Sequence, residues 1–118
     1  MAAICHRIVG NSLFVGRPDG GEERIEFAWP IAHVLECDDV LVLRIDPALG
    51  SGDNENIFGV GRNAVVLWQV PSREYIYHDS AYTGMQKAGK HVWLFNWDGT
   101  ELLVNPSTGD VVEEGYGR

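Results

Sequence analysis

The sequence predicts an all-β protein, folded as an antiparallel meander that forms a sandwich, an open barrel or two blade-like sheets. Short apolar or alternating runs recur along the 118 residues, and turn-forming pairs such as Asp19-Gly20 and Asp98-Gly99 separate them. No stretch shows the apolar spacing of a helix of about ten residues or more. Short strands with frequent turns are typical of antiparallel sandwiches and barrels. We therefore treat residues 1–118 as a single all-β domain.

The N-terminal half predicts five strands, at residues 4–9, 13–15, 23–27, 31–36 and 40–45. In the third strand, alternation places Ile25 and Phe27 on an inward face. Residues 31–36 fit either one helical turn or a short strand, and we adopt the strand. The run at 40–45 is continuous and rich in branched side chains, which indicates a central strand buried on both faces. Residues 48–56 follow as one long polar loop.

The C-terminal half predicts a hairpin and then a three-stranded meander. The hairpin pairs residues 57–60 with 65–70, and residues 74–77 alternate like a further short strand. We expect residues 78–90 to be irregular and residues 115–118 to be frayed. The meander covers residues 91–114, with a tight turn at Asp98-Gly99 and a longer turn at residues 105–109.

Three segments share the order strand, polar turn, strand: residues 13–27, 57–70 and 92–104. The run Val92-Trp-Leu-Phe-Asn-Trp-Asp-Gly-Thr-Glu-Leu-Leu-Val-Asn-Pro-Ser-Thr-Gly-Asp-Val-Val resembles a β-propeller blade of the quinoprotein type. With the hairpin before it, the resemblance extends over residues 57–114. The whole chain also resembles small uncharacterised bacterial all-β proteins that carry the same Trp-Asp-Gly meander. These resemblances imply a fold and little about activity. The chain is shorter than a closed propeller, which typically needs four or more blades.

Charge favours some partners over others. Nine Lys and Arg against 17 Asp and Glu give a net charge of −8. This acidity disfavours nucleic acid and anionic membrane, and it either attracts a basic partner or serves only to keep a strand-rich protein soluble. The sequence shows neither a signal-peptide pattern nor an apolar run long enough to span a membrane. We expect a cytoplasmic protein in which Cys5 and Cys37 are reduced by default, and the sequence leaves an oxidised pair open as the alternative.

Catalytic and metal-binding patterns are weak. His78, Asp79 and Ser80 contain the residue types of a hydrolytic triad, but consecutive side chains on an extended segment point to opposite faces. The histidines and cysteines lack zinc-ligand spacing, and the acidic loop lacks the spacing of an EF-hand. The adjacent acids at 38–39 and 113–114 do not face each other across a cleft, as glycosidase carboxyls do. The sequence therefore predicts no catalytic residue, metal or cofactor.

The leading functional hypothesis is a non-catalytic, acidic protein-binding module, with an immunity-like or inhibitor-like role toward a basic protein. Trp97 lies beside a turn, where an indole is either part of the core or an exposed contact. We favour packing for Trp97 and keep exposure as the alternative. The candidate partner-binding residues are the turn acids and their aromatic neighbours: Asp38, Asp39, Asp53, Glu55, Tyr82, Trp97 and Asp98.

Two alternatives come from other functional classes. One is a small-ligand binding domain with an aromatic-lined cleft at the Tyr82 or Trp97 end. The other is a hydrolase that uses His78 or His91 with a nearby acid. For assembly we expect either a monomer or a homodimer paired through exposed strand edges.

Overall fold

The structure, a computed structural model, describes residues 4–117 and confirms an all-β fold. Its strands form three antiparallel sheets, in each of which chain order is also spatial order. Sheet 1 contains β1 (His6–Val9), β2 (Ser12–Gly16) and β3 (Glu22–Glu26). Sheet 2 contains β4 (Ile31–Cys37), β5 (Val40–Ile45), β6 (Ile57–Gly61) and β7 (Val66–Gln69). Sheet 3 contains β8 (Tyr82–Ala88), β9 (His91–Asn96), β10 (Thr100–Val104) and β11 (Val111–Tyr116).

Sheet 2 lies between the other two sheets, and its strand β5 is buried on both faces as predicted. Leu41, Leu43 and Ile45 pack in one apolar core with Leu13 and Val15 of sheet 1. Residues 40 and 42 point the other way and join a second core, whose sheet 3 members are Tyr82, Met85, Val92, Leu94, Leu102 and Val104. Because strand side chains alternate, a continuous apolar run supplies both cores at once. The three sheets therefore form a stack of blades.

The connections between strands lie at two opposite ends of this stack. The cleft end carries residues 10–11, 27–30, 46–56, 70–81 and 97–99, which are joined by bonds such as Ile31 N to Gly10 O (3.1 Å) and Trp97 N to Ala81 O (3.0 Å). The turn end carries residues 17–21, 38–39, 62–65, 89–90 and 105–110. There, Arg62 pairs with Asp39 at 2.8 Å. The strand order therefore determines at which end of the stack each connection lies.

The predicted repeat corresponds to one hairpin per sheet. Residues 13–27 supply β2 and β3, residues 57–70 supply β6 and β7, and residues 92–104 supply β9 and β10. Residues 31–36 form a strand, as we had adopted. The meander at 91–114 is also confirmed, with β8 added as a fourth strand at its edge.

Three local predictions are wrong. Residues 74–77 form no strand, and Ile76 and Tyr77 are exposed. Residues 78–90 are not irregular, because most of them form β8. The prediction of fraying from residue 115 is also wrong, because β11 extends to Tyr116 and Gly117 N donates to Gly99 O at 2.8 Å; Arg118 lies outside the described residues. The β8 error has a physical cause, a register shift between Tyr82 and Gly84 that interrupts the two-residue alternation.

The tryptophans occupy different environments. Trp68 is buried, and its Nε1 donates a 2.7 Å hydrogen bond to the carbonyl of Pro106. Trp29 and Trp93 are half-buried, whereas Trp97 is 62% exposed, so the packing role that we favoured for Trp97 is wrong. Cys5 and Cys37 are free thiols. Residues 4–117 contain no helix long and apolar enough to cross a membrane.

Candidate functional site

A cleft of about 320 Å³ opens at the cleft end, between the loop of residues 46–56 and the start of sheet 3. We call it the main cleft. Apolar side chains on its rim include Leu49 and Trp97. The charged residues that line it are one arginine, Arg44, and three aspartates, Asp46, Asp53 and Asp79. The cleft is therefore apolar at its rim and acidic in its charge balance.

The wall of the main cleft is the loop of residues 46–56, which is held by the carboxylate of Asp79. Oδ2 of Asp79 accepts a hydrogen bond from Gly50 N (2.7 Å), and Oδ1 accepts one from Gly52 N (3.0 Å). Both glycines have positive φ angles, 85° and 70°, which presents their N–H groups to one acceptor. His78 lies against the same loop, with Nε2 at 3.4 Å from Gly50 O. These contacts fix the loop at two successive glycines.

Three buried asparagines cross-link the backbone at the cleft end, where Asn54 lines the main cleft and Asn56 lines a second cleft described below. Asn56 donates from Nδ2 to Ile45 O (2.7 Å) and Tyr82 O (3.0 Å), and its Oδ1 accepts from Tyr82 N (2.8 Å). Asn54 makes the equivalent pair with the backbone of residues 78 and 80. Asn96 bonds Ser80 through both its oxygen and its nitrogen. The site thus lies on a cross-linked part of the backbone.

A second cleft of about 220 Å³ lies on the other side of Asp53, next to Trp29. Trp29 Nε1 donates to the Asp53 carboxylate at 2.7 Å, which orients that acid at the boundary of the two clefts. Glu55 accepts a 2.9 Å hydrogen bond from the hydroxyl of Tyr75. Burial, and then this bond to a carboxylate, raise the pKa of Tyr75 well above its usual value. Tyr75 therefore stays a neutral donor to Glu55.

Exposed apolar side chains are concentrated on the connections of the cleft end. Leu49 is 97% exposed, Trp97 62%, and Ile76 and Tyr77 are exposed on the connection from β7 to β8. The carboxylate of Asp46 has no ion-pair or hydrogen-bond partner within residues 4–117. Apolar side chains that project beside carboxylates are typical of contact surfaces, where aromatic anchors supply much of the binding energy.

The structure separates the predicted partner-binding residues into three groups. Asp53, Glu55 and Trp97 come together at the cleft end, whereas Asp38 and Asp39 lie at the turn end. Tyr82 and Asp98 are 1% and 4% exposed, so we leave both out of the candidate surface. Asp98 is buried because its Oδ1 accepts from Thr100 N at 2.9 Å and closes the turn to which it belongs.

The residues that line the cleft and were not predicted include Arg44, Asp46, Leu49 and Asp79. Arg44 is the one charged residue of the apolar strand β5, and a lone charge at such a position is the sequence signal that could have indicated a cleft. Leu49 is an apolar residue in a polar loop, which is a similar signal. The carboxylate of Asp79 accepts hydrogen bonds from loop residues that lie 27 and 29 positions away in sequence, and no local pattern predicts that pairing.

The three triad residue types do not converge. Asp79 binds the loop, the hydroxyl of Ser80 donates to Asn96 Oδ1 at 2.6 Å, and Ser80 is fully buried. His91 lies half-buried on β9, in sheet 3. Across residues 4–117, no three His, Cys, Asp or Glu side chains are grouped so that they could hold a metal ion. The geometry of the cleft end offers exposed apolar side chains and negative charge.

Residues 7–116 match a family described as "Domain of unknown function (DUF7957)". The chain belongs to this family. No curated protein matches the sequence significantly.

Among solved structures, the chain is similar to BamB from Moraxella catarrhalis, a β-propeller, with a TM-score of 0.61 and 18% identity. That alignment covers 91% of this chain and 32% of the BamB chain. The computationally designed Ika8 protein is similar with a TM-score of 0.58 and 14% identity over 99% of this chain and 37% of its own. The chain spans about a third of the length of both structures. These likenesses concern the fold, and they agree with blade-like sheets.

Proposed function

We propose that this protein is a non-catalytic binding module that takes a basic protein partner at its cleft end, in the manner of an immunity or inhibitor protein. The observation that carries the proposal is the exposed indole of Trp97, set beside Leu49 and an acidic cleft. Exposed tryptophans are the most common interface hot spots, and neighbouring carboxylates select a cationic partner.

The charge of the cleft end supports a basic partner. Arg44 is the one cation among the residues that line the main cleft, against the carboxylates of Asp46, Asp53 and Asp79. Two of these acids already accept hydrogen bonds from neutral donors, the indole of Trp29 and the loop amides. Such bonds orient a carboxylate and leave its charge uncompensated. The net charge of −8 adds long-range attraction for the same class of partner.

The hydrogen bonds that hold the loop of residues 46–56 support a binding role. Asp79 and the buried asparagines hold residues 46–56 by hydrogen bonds to the backbone. A surface that is already ordered loses less conformational entropy when it binds. We therefore expect a partner to dock on the cleft end with little change in its backbone.

The test is affinity capture with two kinds of variant, one altered at the cleft end and the other at the turn end. Asp46→Asn with Asp53→Asn, or Trp97→Ala, changes the cleft end. The matched control, Asp38→Asn with Asp110→Asn, removes the same charge at the turn end. We expect wild type and control to retain one basic protein from the source cells at about 50 mM salt and to release it at about 500 mM. Both cleft-end variants should lose it by tenfold or more. Equal retention by all the variants would contradict the proposal.

A small ligand in the main cleft is the second candidate, because its volume of about 320 Å³ lies at the lower limit of ligand pockets, roughly 300–1,000 Å³. The Nε atom of Arg44, a residue that lines this cleft, is buried and has no hydrogen-bond partner within residues 4–117. A fragment library screened by thermal shift tests this candidate. A hit should stabilise wild type and the turn-end control, and Arg44→Met should abolish the shift. Failure of all fragments to stabilise wild type would remove this candidate and leave the first untouched.

A further inference from the structure

Sheet 3 has an outer face that nothing in residues 4–117 covers. Its strands direct residues 92, 94, 102 and 104 toward sheet 2. The alternate positions, Trp93, Phe95 and Leu103, therefore lie on the opposite face, where all three are half-buried. Register pairs Leu103 with Trp93 and with Glu113, so the apolar residues are flanked by acids at 101 and 113. The last sheet of the stack thus ends in an aromatic, acid-flanked face.

The outer face of sheet 1 has a different composition. Leu13 and Val15 point to sheet 2, so Phe14 points away from it. The guanidinium of Arg7 lies 3.9 Å from the centre of the Phe14 ring, and that of Arg24 lies 6.0 Å from it. Arg7 also pairs with Glu22 at 2.9 Å, and Arg24 pairs with Glu26, so each guanidinium already has a carboxylate beside it on this face. The first sheet of the stack thus ends in one ring with a guanidinium from each neighbouring strand, each paired with a glutamate.

The repeat makes these two faces equivalent to faces that are already paired inside the molecule. Sheet 2 packs one face on sheet 1 and its other face on sheet 3. In the order of the stack, the outer face of sheet 3 corresponds to the face of sheet 2 that packs on sheet 3. The outer face of sheet 1 corresponds to the face of sheet 2 that packs on sheet 1. A contact between the two outer faces would continue the existing stack.

We propose that the outer face of sheet 3 binds the outer face of sheet 1 of a second copy of this chain. Guanidinium groups stack on aromatic rings, so Arg7 and Arg24 suit Trp93 and Phe95. The acids at 101 and 113 lie beside those rings and attract the same cations. Two sheet 3 faces stacked on each other would instead oppose like charges. The chemistry therefore selects a head-to-tail contact over a symmetric one.

A head-to-tail contact leaves one outer face free on each copy until the assembly closes. Two copies of three sheets supply six sheets, which falls within the four to eight blades typical of closed propellers. The smallest closed assembly that satisfies every outer face is therefore a pair. This pairing uses sheet faces, so it differs from a dimer formed through strand edges.

Mass in solution provides the first test. Light scattering on wild type at about 100 µM should give twice the 13.1 kDa of one chain. Trp93→Glu on sheet 3, or Arg7→Glu with Arg24→Glu on sheet 1, should return the mass to one chain. The control Leu67→Glu changes an exposed residue on the edge strand β7 and should leave the pair intact. A wild-type monomer at this concentration overturns the proposal, as does a pair that Leu67→Glu alone disrupts.

Mixing the two broken variants tests the head-to-tail arrangement itself. Each variant retains the face that the other has lost, so one intact contact can form between them. We expect the mixture to recover a pair, whereas each variant alone stays a single chain. Lack of recovery overturns the head-to-tail geometry. If circular dichroism shows that Trp93→Glu is unfolded, Glu113→Lys repeats the test at an exposed position of the same face, and a pair as stable as wild type overturns the proposal.

Discussion

Asn56→Ala should destabilise the protein more than a single polar substitution usually does. The Asn56 side chain is 4% exposed and makes three hydrogen bonds, two to the backbone of Tyr82 and one to the carbonyl of Ile45. It therefore joins the end of β5 in sheet 2 to the first residue of β8 in sheet 3. Truncation would break all three bonds in a place that water does not reach easily.

The expected loss can be worked out from those bonds. Each contributes about 1 kcal/mol net, and a buried backbone group left without a partner costs about 1–3 kcal/mol. Some of this cost is recovered if water enters the vacated space. We expect the free energy of unfolding to fall by about 3–5 kcal/mol, a large part of the roughly 5–15 kcal/mol of a typical domain.

Urea unfolding followed by tryptophan fluorescence measures this loss. With a slope of about 2 kcal/mol per molar urea, the midpoint should fall by about 2 M. The control Asn63→Ala changes an exposed turn residue and should shift the free energy of unfolding by less than about 0.5 kcal/mol. A loss below about 1 kcal/mol for Asn56→Ala, with an unchanged slope, would refute the view that this asparagine joins the two sheets.

Three further predictions concern packing, ionisation and the loop. Gly59→Ala should lower the free energy of unfolding by about 1–3 kcal/mol or more, because the added Cβ would lie 2.1 Å from Trp68 Nε1. In the control Gly84→Ala, the added Cβ lies 3.7 Å from its nearest neighbour, so the loss should be small. Equal melting temperatures for the two variants would contradict this. In an absorbance titration, Tyr75 and Tyr82 should ionise above the usual tyrosine pKa of about 10, because burial raises the pKa of both. The folded state then holds the two phenol protons more tightly than the unfolded state, so their contribution to stability is complete below about pH 10 and is lost as pH rises further. Tyr75→Phe should remove one of the tyrosines that ionise at high pH. Ionisation of all tyrosines at about pH 10 in the folded protein would disprove the burial argument. Asp79→Ala should speed hydrogen exchange at the amides of Gly50 and Gly52, while Asp110→Ala should not; unchanged exchange would show that Asp79 does not fix the loop.

The sequence predicts the fold well wherever one strand and its turn determine the local structure. Asp98-Gly99 is an example, since Gly99 takes a φ of 95° and the Asp98 carboxylate closes the turn within two residues. The same is true of β5, whose uninterrupted apolar run needs two apolar surroundings. Such features depend on neighbours in sequence, and the pattern contains all the information that they require.

Features that depend on distant partners could not be predicted in this way. The strand β8 is rich in residues with low strand propensity, and its register shift places Tyr82 and Met85 on one face three positions apart. Residues 74–77 alternate like a strand, yet Tyr75 is bound to Glu55 and its neighbour Ile76 is 71% exposed. In both places a contact with another part of the chain decides the structure: pairing with β9 for β8, and the bond to Glu55, 20 positions away, for Tyr75. The candidate site has the same origin, since its acids and Trp97 come together only through stacking of the sheets.

Stability and the proposed binding are separable at the cleft end, because different side chains would carry them. Asn56 and Asp79 point their polar atoms at backbone groups, so their loss should disturb the loop and the sheets. Trp97 and Leu49 project outward, and their removal should leave unfolding nearly unchanged. A fold that commits its buried polar groups to holding the loop leaves the exposed rim free to vary. Under the proposed function, we therefore expect partner choice to depend on residues such as 49 and 97, and the shape of the cleft end to depend on residues 56 and 79.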